Sequence, residues 1–239
     1  MPGITDDPVS NQRPRRADLP KIEQEIFDFY LLPHDRFTET QIAKRYEVSR
    51  TPVRDALYRL QREGYLEVEF RRGWMVKPLD FARIDDLYDL CIVLESAAVE
   101  RLCGLVDLPG MLEALCQVWN VPQDQRHTDM QTVAELDEAF HSELLAATGN
   151  REMLRVHREV TEHIRIVRRL DFSQRTRIKE TYNEHVSIFK ALRLRKRDDT
   201  LLMLRAHVEQ SKIEVRKLSL SMLSEARRRF ECPSAASDA

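Results

Sequence analysis

Between residues 131 and 148, apolar side chains recur at Val133, Leu136, Phe140 and Leu144, and Gly149-Asn150 closes the run. Spacings of three and four mark the buried stripe of an amphipathic helix. The same period predicts helices near 83–104, 109–119, 150–170, 175–194 and 197–229, with Gly104 and Arg197-Asp198-Asp199 among the breaks. No strand pattern follows Phe81. Upstream, one helix is expected over 19–32, with Ile22, Ile26, Phe27 and Tyr30 on one side. Two short helical runs come next, TETQIAKRYEV and SRTPVRDALYRLQREG, split at Glu47-Val48-Ser49. After Gly64 the period changes to that of strands, in YLEVEF and WMVKPL, joined by an RRG turn.

Three helices, a two-stranded wing and then helices only predict a mainly-α protein. The N-terminal part reads as a winged helix-turn-helix and the C-terminal part as an all-α antiparallel bundle of about six helices. The expected boundaries are a polar arm at 1–18, the winged unit at 19–79, the helical unit at 80–230 and a polar tail at 231–239.

With 239 residues, 42% of them hydrophobic, and only 6 glycines, the chain can bury two small helix-rich cores. Its net charge of −2 excludes a global basic field. The local balance differs: nine Lys or Arg face five acids between Thr40 and Lys77. The four cysteines form no C-x-x-C pair. Three of them read as small core residues, and Cys232 falls in the tail. No apolar run reaches membrane-spanning length, so a reduced, cytoplasmic protein without a membrane partner is expected.

In VSRTPVRDALYRL, Ser49 is placed to cap a helix, and Pro52 falls in the first turn, where its missing N–H costs nothing. Val53, Ala56, Leu57 and Leu60 form the buried stripe, leaving Arg50, Thr51, Arg54 and Tyr58 on the other side. Two arginines a turn apart at a helix N-terminus suit the major groove, where arginine bonds guanine bidentately. The Arg71-Arg72-Gly73 tip would reach backbone or minor groove. The competing explanation is a solvated charged face; arginines at both contact points of a helix-turn-helix-wing order weigh against it.

The run FTETQIAKRYEVSRTPVRDALYRLQREGYLEVEFRRGWMVKPL resembles the winged helix-turn-helix of the GntR family of bacterial transcription regulators. The resemblance implies that Arg50 and Arg54 read base edges or adjacent phosphates. It also implies that Thr38 and Thr51 anchor the DNA backbone, and that Arg72 with Gly73 forms the wing tip. This chain departs from the family at His34, where a glycine is usual, and at Thr40, where some members carry arginine.

A second constellation lies further on. Asp137 and His141 share the apolar side of their helix, one turn apart. His185 falls among Ile178, Tyr182, Val186 and Phe189, and His207 among Leu204, Val208, Ser211 and Val215. An unpaired buried carboxylate is costly and needs a cation, hydrogen bonds or a proton. Imidazoles with one carboxylate form an ordinary donor set for a divalent ion such as Zn, Ni or Mn. Periodicity leaves open whether these are separate, satisfied core residues or one shared site. His34, His127 and His157 read as surface residues and His163 as ambiguous, while Glu138 and Glu184 are rotated off the ligand side.

LDEAFHSELLAATGN, NEHVSIFKAL and MLRAHVEQSK resemble three signature segments of the FCD effector domain, found in the FadR branch of the GntR family. That resemblance implies a divalent metal ion on Asp137, His141, His185 and His207, with open positions for the carboxylate of a small metabolite. Family members often carry an effector-binding arginine shortly before the equivalent of Leu94-Glu95; here the position holds Cys91. Cys91 is a candidate at the effector site that could approach the metal or sense oxidation, set against the plainer reading of a buried, inert thiol. Arg165 and Arg168 are candidates to replace the arginine at the effector site. The combined expectation is a homodimeric, non-enzymatic repressor whose affinity for a double-stranded operator responds to a small organic acid. A regulator for which the ion itself is the signal, and a metal-dependent hydrolase, are the alternatives.

Overall fold

In a computed structural model, the protein is described at residues 22, 25, 26 and 30–231, apart from the side chains of Ile166, Leu170, Leu218 and residues 223–231. The arm, most of the helix expected over 19–32, and the tail with Cys232 lie outside the described residues. The chain divides into two compact units between Pro78 and Leu79.

In the first unit, strand β1 (Arg36–Phe37) leads into helix α1 (Glu39–Arg45). Thr38 starts α1 with a capping box: its hydroxyl accepts from the Gln41 N–H at 3.2 Å, and its own N–H donates to Gln41 Oε1 at 2.8 Å. Helix α2 (Arg50–Arg62) follows Ser49, which stands at the N-cap without a side-chain cap bond. Val53, Ala56, Leu57 and Leu60 are buried beneath α2. Burying each such leucine contributes roughly 1.5–3 kcal/mol.

Strands β2 (Leu66–Glu69) and β3 (Gly73–Val76) form the wing, pairing Leu66 with Val76 and Val68 with Trp74. The wing sheet has three strands in the order β1-β3-β2, not the expected two. β1 spans only two residues, too few to show an alternating pattern, and it pairs with Trp74 and Met75. Its presence makes Gly73 obligatory: at φ +91°, any Cβ there would stand 2.5 Å from the Phe37 carbonyl oxygen. His34 also takes a left-handed backbone, at φ 76°, which for a side chain other than glycine costs roughly 1–2 kcal/mol. That conformation accounts for the glycine usual at this position.

The second unit holds α3 (Phe81–Cys103), α4 (Met111–Trp119), α5 (Met130–Ala146), α6 (Arg151–Asp171), α7 (Arg175–Arg193) and α8 (Arg197–Glu231). Asp80 and Asp129 open α3 and α5 by accepting from the N–H groups of Arg83 and Thr132, at 3.0 and 2.8 Å. α3 packs against α5, α6 and α8, and α7 closes the bundle against α4 and α8. No strand occurs beyond Val76 among the described residues. Trp119 anchors the centre, its ring 4.8 Å from that of Tyr182 and 4.2 Å from that of His185. Of the three cysteines expected in the core, Cys91 is buried, whereas Cys103 and Cys116 are half-buried near helix ends. Among the described residues, no helix is long and apolar enough to cross a membrane.

Candidate metal centre

Helix α5 delivers Asp137 and His141 one turn apart, α7 delivers His185 and α8 delivers His207; all four are buried. One ligand atom from each lies within 4.8 Å of all the others. His207 Nε2 stands 3.2 Å from both His185 Nε2 and His141 Nε2. Asp137 Oδ1 lies 3.3, 3.7 and 3.9 Å from the Nε2 atoms of His185, His141 and His207. Phe140 stacks on His185 at 3.7 Å with an interplanar angle of 6°, fixing that ring's plane.

The outer nitrogens set the tautomers. His141 Nδ1 is 2.5 Å from Glu95 Oε2, and His207 Nδ1 is 2.6 Å from Glu184 Oε2. A carboxylate accepts, so each Nδ1–H donates outward and each Nε2 lone pair faces the centre. Lone pairs that converge need a proton or a cation between them. Asp137 Oδ1 and His185 Nδ1 are also buried without a hydrogen-bond partner. Metal–nitrogen bonds of ~2.0–2.1 Å place neighbouring donors on one ion ~3–3.5 Å apart, close to these separations. The donor set therefore fits a divalent ion.

Charge is balanced locally. Burial pushes the Asp137 carboxyl up, but the Arg168 guanidinium and His141 overcome it and hold it well below the usual range. Arg168 Nε lies 3.0 Å from Asp137 Oδ2, a contact of charge without hydrogen-bond alignment, and Arg168 Nη1 is buried without a partner. Glu95 behaves like Asp137: burial opposes its charge, while His141 and His157 stabilise it. Burial pushes His185 down to about 3 and lowers His207. His141 is raised because Glu95 overcomes its burial, so it is the imidazole that most readily holds a proton. A divalent ion held there would displace that proton.

Sequence reasoning missed the ring of groups behind these four. His157, expected at the surface, is fully buried, with Nε2 3.1 Å from Glu95 Oε1. It starts the inward stripe of α6 that continues through Val160, Thr161, Ile164, Arg168 and Asp171, and that spacing was the signal available. Glu184, expected to point away, meets His207 because α8 lies on its side of α7. Arg177 holds Glu184 at 2.8 Å, Asp171 at 3.1 Å and Ser211 at 3.0 Å. Cys91 is buried beside Glu95 and His157, its thiol pushed up to about 12, chiefly by burial.

The two arginine candidates separate. Arg168 points inward to Asp137, whereas half-buried Arg165 donates to both Glu138 carboxylate oxygens at 2.8 Å. Both line a cleft of about 590 Å³ between α5 and α6, with Ser142, Arg158 and Arg169. A second cleft of about 700 Å³, between α7 and α8, reaches His207 and Glu184. Cys91 lines neither.

In the winged unit, Arg50, Thr51 and Arg54 are exposed on the first turns of α2, and Thr38 is exposed at the α1 cap. Arg72 is exposed in the wing turn beside half-buried Gly73. Phe70, 83% exposed, joins them there with the Arg71 guanidinium 5.0 Å from its ring centre.

Residues 20–76 match the family of bacterial regulatory proteins, gntR family, and residues 86–210 match the FCD domain. The Nta operon transcriptional regulator of Aminobacter aminovorans is 30% identical over 183 residues, covering 76% of this chain and 85% of its own. The gluconate operon transcriptional repressor of Bacillus licheniformis is 26% identical over 197 residues, covering 78% and 79%. A putative transcriptional regulator GntR from Rhodococcus sp. RHA1 shares the fold, with a TM-score of 0.61 at 21% identity over 82% of this chain and 94% of that one. The chain belongs to the gntR family of bacterial regulatory proteins and carries an FCD domain as its helical unit.

Proposed function

We propose that this regulator is a repressor whose operator affinity is set by a small carboxylate held at a divalent ion on Asp137, His141, His185 and His207. The observation that carries the proposal is the convergence of three Nε2 atoms on one carboxylate oxygen, with two of the rings locked from behind by Glu95 and Glu184. When bound, the ion supplies Lewis-acid coordination for the ligand's acid group. Arg168, buried with an unpartnered Nη1 and lining the α5/α6 cleft, supplies the cation that an arginine at position 91 would have given. Ligand binding changes DNA affinity by the extent to which it favours one arrangement of a homodimer over another. Arg50, Thr51, Arg54, Arg72 and Gly73 face the operator, and Thr38 organises the start of α1 beside them.

The sensor alternative, with the ion itself as signal, differs in one measurement: metal alone would then change operator affinity without an added acid. Hydrolysis is disfavoured because Glu95 and Glu184, the acids nearest the histidines, are both bonded to imidazoles rather than free to act as bases. Gel shift with DNA upstream of the protein's own gene tests the regulator reading. A salt-resistant preference over random duplex is expected, and its absence removes the proposal. Arg54→Ala should lose about 1–3 kcal/mol of specific binding while circular dichroism stays unchanged. Undiminished affinity would take Arg54 out of the interface.

A further inference from the structure

Arg50 and Arg54, exposed on the first turns of α2, are not loose in solvent. Glu39, in the first turn of α1, accepts from Arg54 Nε at 3.0 Å and from Arg54 Nη2 at 2.9 Å. The same carboxylate accepts from Arg50 Nη2 at 3.0 Å. Its side chain is 15% exposed, against 51% for Arg54 and 60% for Arg50, so the anchor is the more buried partner. Its place at a helix N-terminus also favours its charge.

A guanidinium presents two edges with paired donors. Glu39 occupies the side edge of Arg54, formed by Nε and Nη2. The end edge, formed by Nη1 and the outward N–H of Nη2, is left for another pair of acceptors. Guanine O6 and N7 form such a pair. An arginine held this way has already given up much of its rotamer freedom, which lowers the entropy cost of docking on a base. The negative charge of Glu39 also opposes phosphate contacts that lack a matching base.

We propose that Glu39 is a positioning residue for base recognition, holding Arg54 side-on so that its end edge reads guanine, and that it lowers indiscriminate DNA affinity while raising discrimination. This rests on the DNA-reading role of α2 proposed above. Arg50, bound by one nitrogen only, is held more loosely and contributes less to discrimination.

Selection of the full-length protein against a pool of randomised duplexes, followed by fluorescence anisotropy on the selected and a scrambled duplex, tests it. The wild type should enrich a fixed guanine. Glu39→Gln should bind the scrambled duplex at least as tightly, while its preference for that guanine falls about tenfold. Glu39→Asp, which keeps the charge but stands one methylene short, should lose preference at guanine without gaining affinity for the scrambled duplex. In an Arg54→Lys background, with no planar fork to hold, Glu39→Gln should leave the guanine preference unchanged. Equal guanine preference in wild type and Glu39→Gln, with native circular dichroism, would overturn the proposal, as would additive effects of the two substitutions. Failure of the wild type to enrich any sequence would instead remove the base-reading role itself.

Discussion

Glu39 and Asp137 are each gripped by an arginine, at 2.9 Å from Arg54 and 3.0 Å from Arg168, yet the two pairs do different work. The Glu39 cluster is open to water on its arginine side, where screening and side-chain entropy leave ion pairs with little net stability. Its value lies in geometry: it aims donors while the fold rests on Val53, Leu57 and Leu60 beneath. The Asp137 cluster is dry. There an ionised carboxylate survives only with its partners in place, so geometry and stability cannot be separated. Where water remains, a charged side chain can be spent on recognition; where it is excluded, the same chemistry becomes part of the core.

Substitution should break that contrast most strongly at Asp137. Asp137→Ala strands the Arg168 guanidinium and removes a proposed metal donor, and breaking a buried pair costs about 3–5 kcal/mol. The melting transition of the helical unit should fall by about 10 °C, by differential scanning calorimetry. A fall no larger than that produced by Glu39→Gln would show that burial does not separate the clusters.

A smaller effect is expected at Glu95. Glu95→Gln preserves shape but weakens the acceptor that orients His141, and such changes reduce metal affinity about 10–100-fold. Competition with a chelating dye measures it, and an unchanged affinity would reduce Glu95 to a packing residue. The smallest effect belongs to the winged unit. His34→Gly should relieve the backbone at φ 76° and stabilise that unit by about 0.5–1 kcal/mol in urea titration, leaving metal binding untouched. Destabilisation would mean that the His34 side chain is itself an anchor.

The four proposed ligands were legible because each interrupts an apolar stripe of period 3.6, and a polar group there demands an explanation. Their supporting ring was harder to read. Glu95 also lies on an apolar stripe, but its partner His141 is 46 positions away on another helix, and periodicity does not pair helices. Helix geometry turns Glu184 off the ligand side of α7, but α8 brings His207 to it from that side. Arg168 continues the stripe of Val160, Thr161 and Ile164 whereas Arg165 does not, but only the position of α5 shows that Arg168 meets Asp137. β1 carries too few residues for any pattern, although Gly73 held an indirect sign of it. Helix-by-helix features were thus readable, and features made by contact between elements were not.

Metal content tests the central claim most directly. After purification and dialysis against metal-free buffer, then back-titration with Zn, Ni or Mn, elemental analysis should give about one tightly held divalent ion per chain. His185→Ala should lose it while the helical unit stays folded by circular dichroism. A folded wild-type protein that takes up none of these ions, or a His185→Ala protein that keeps full stoichiometry, would contradict the assignment.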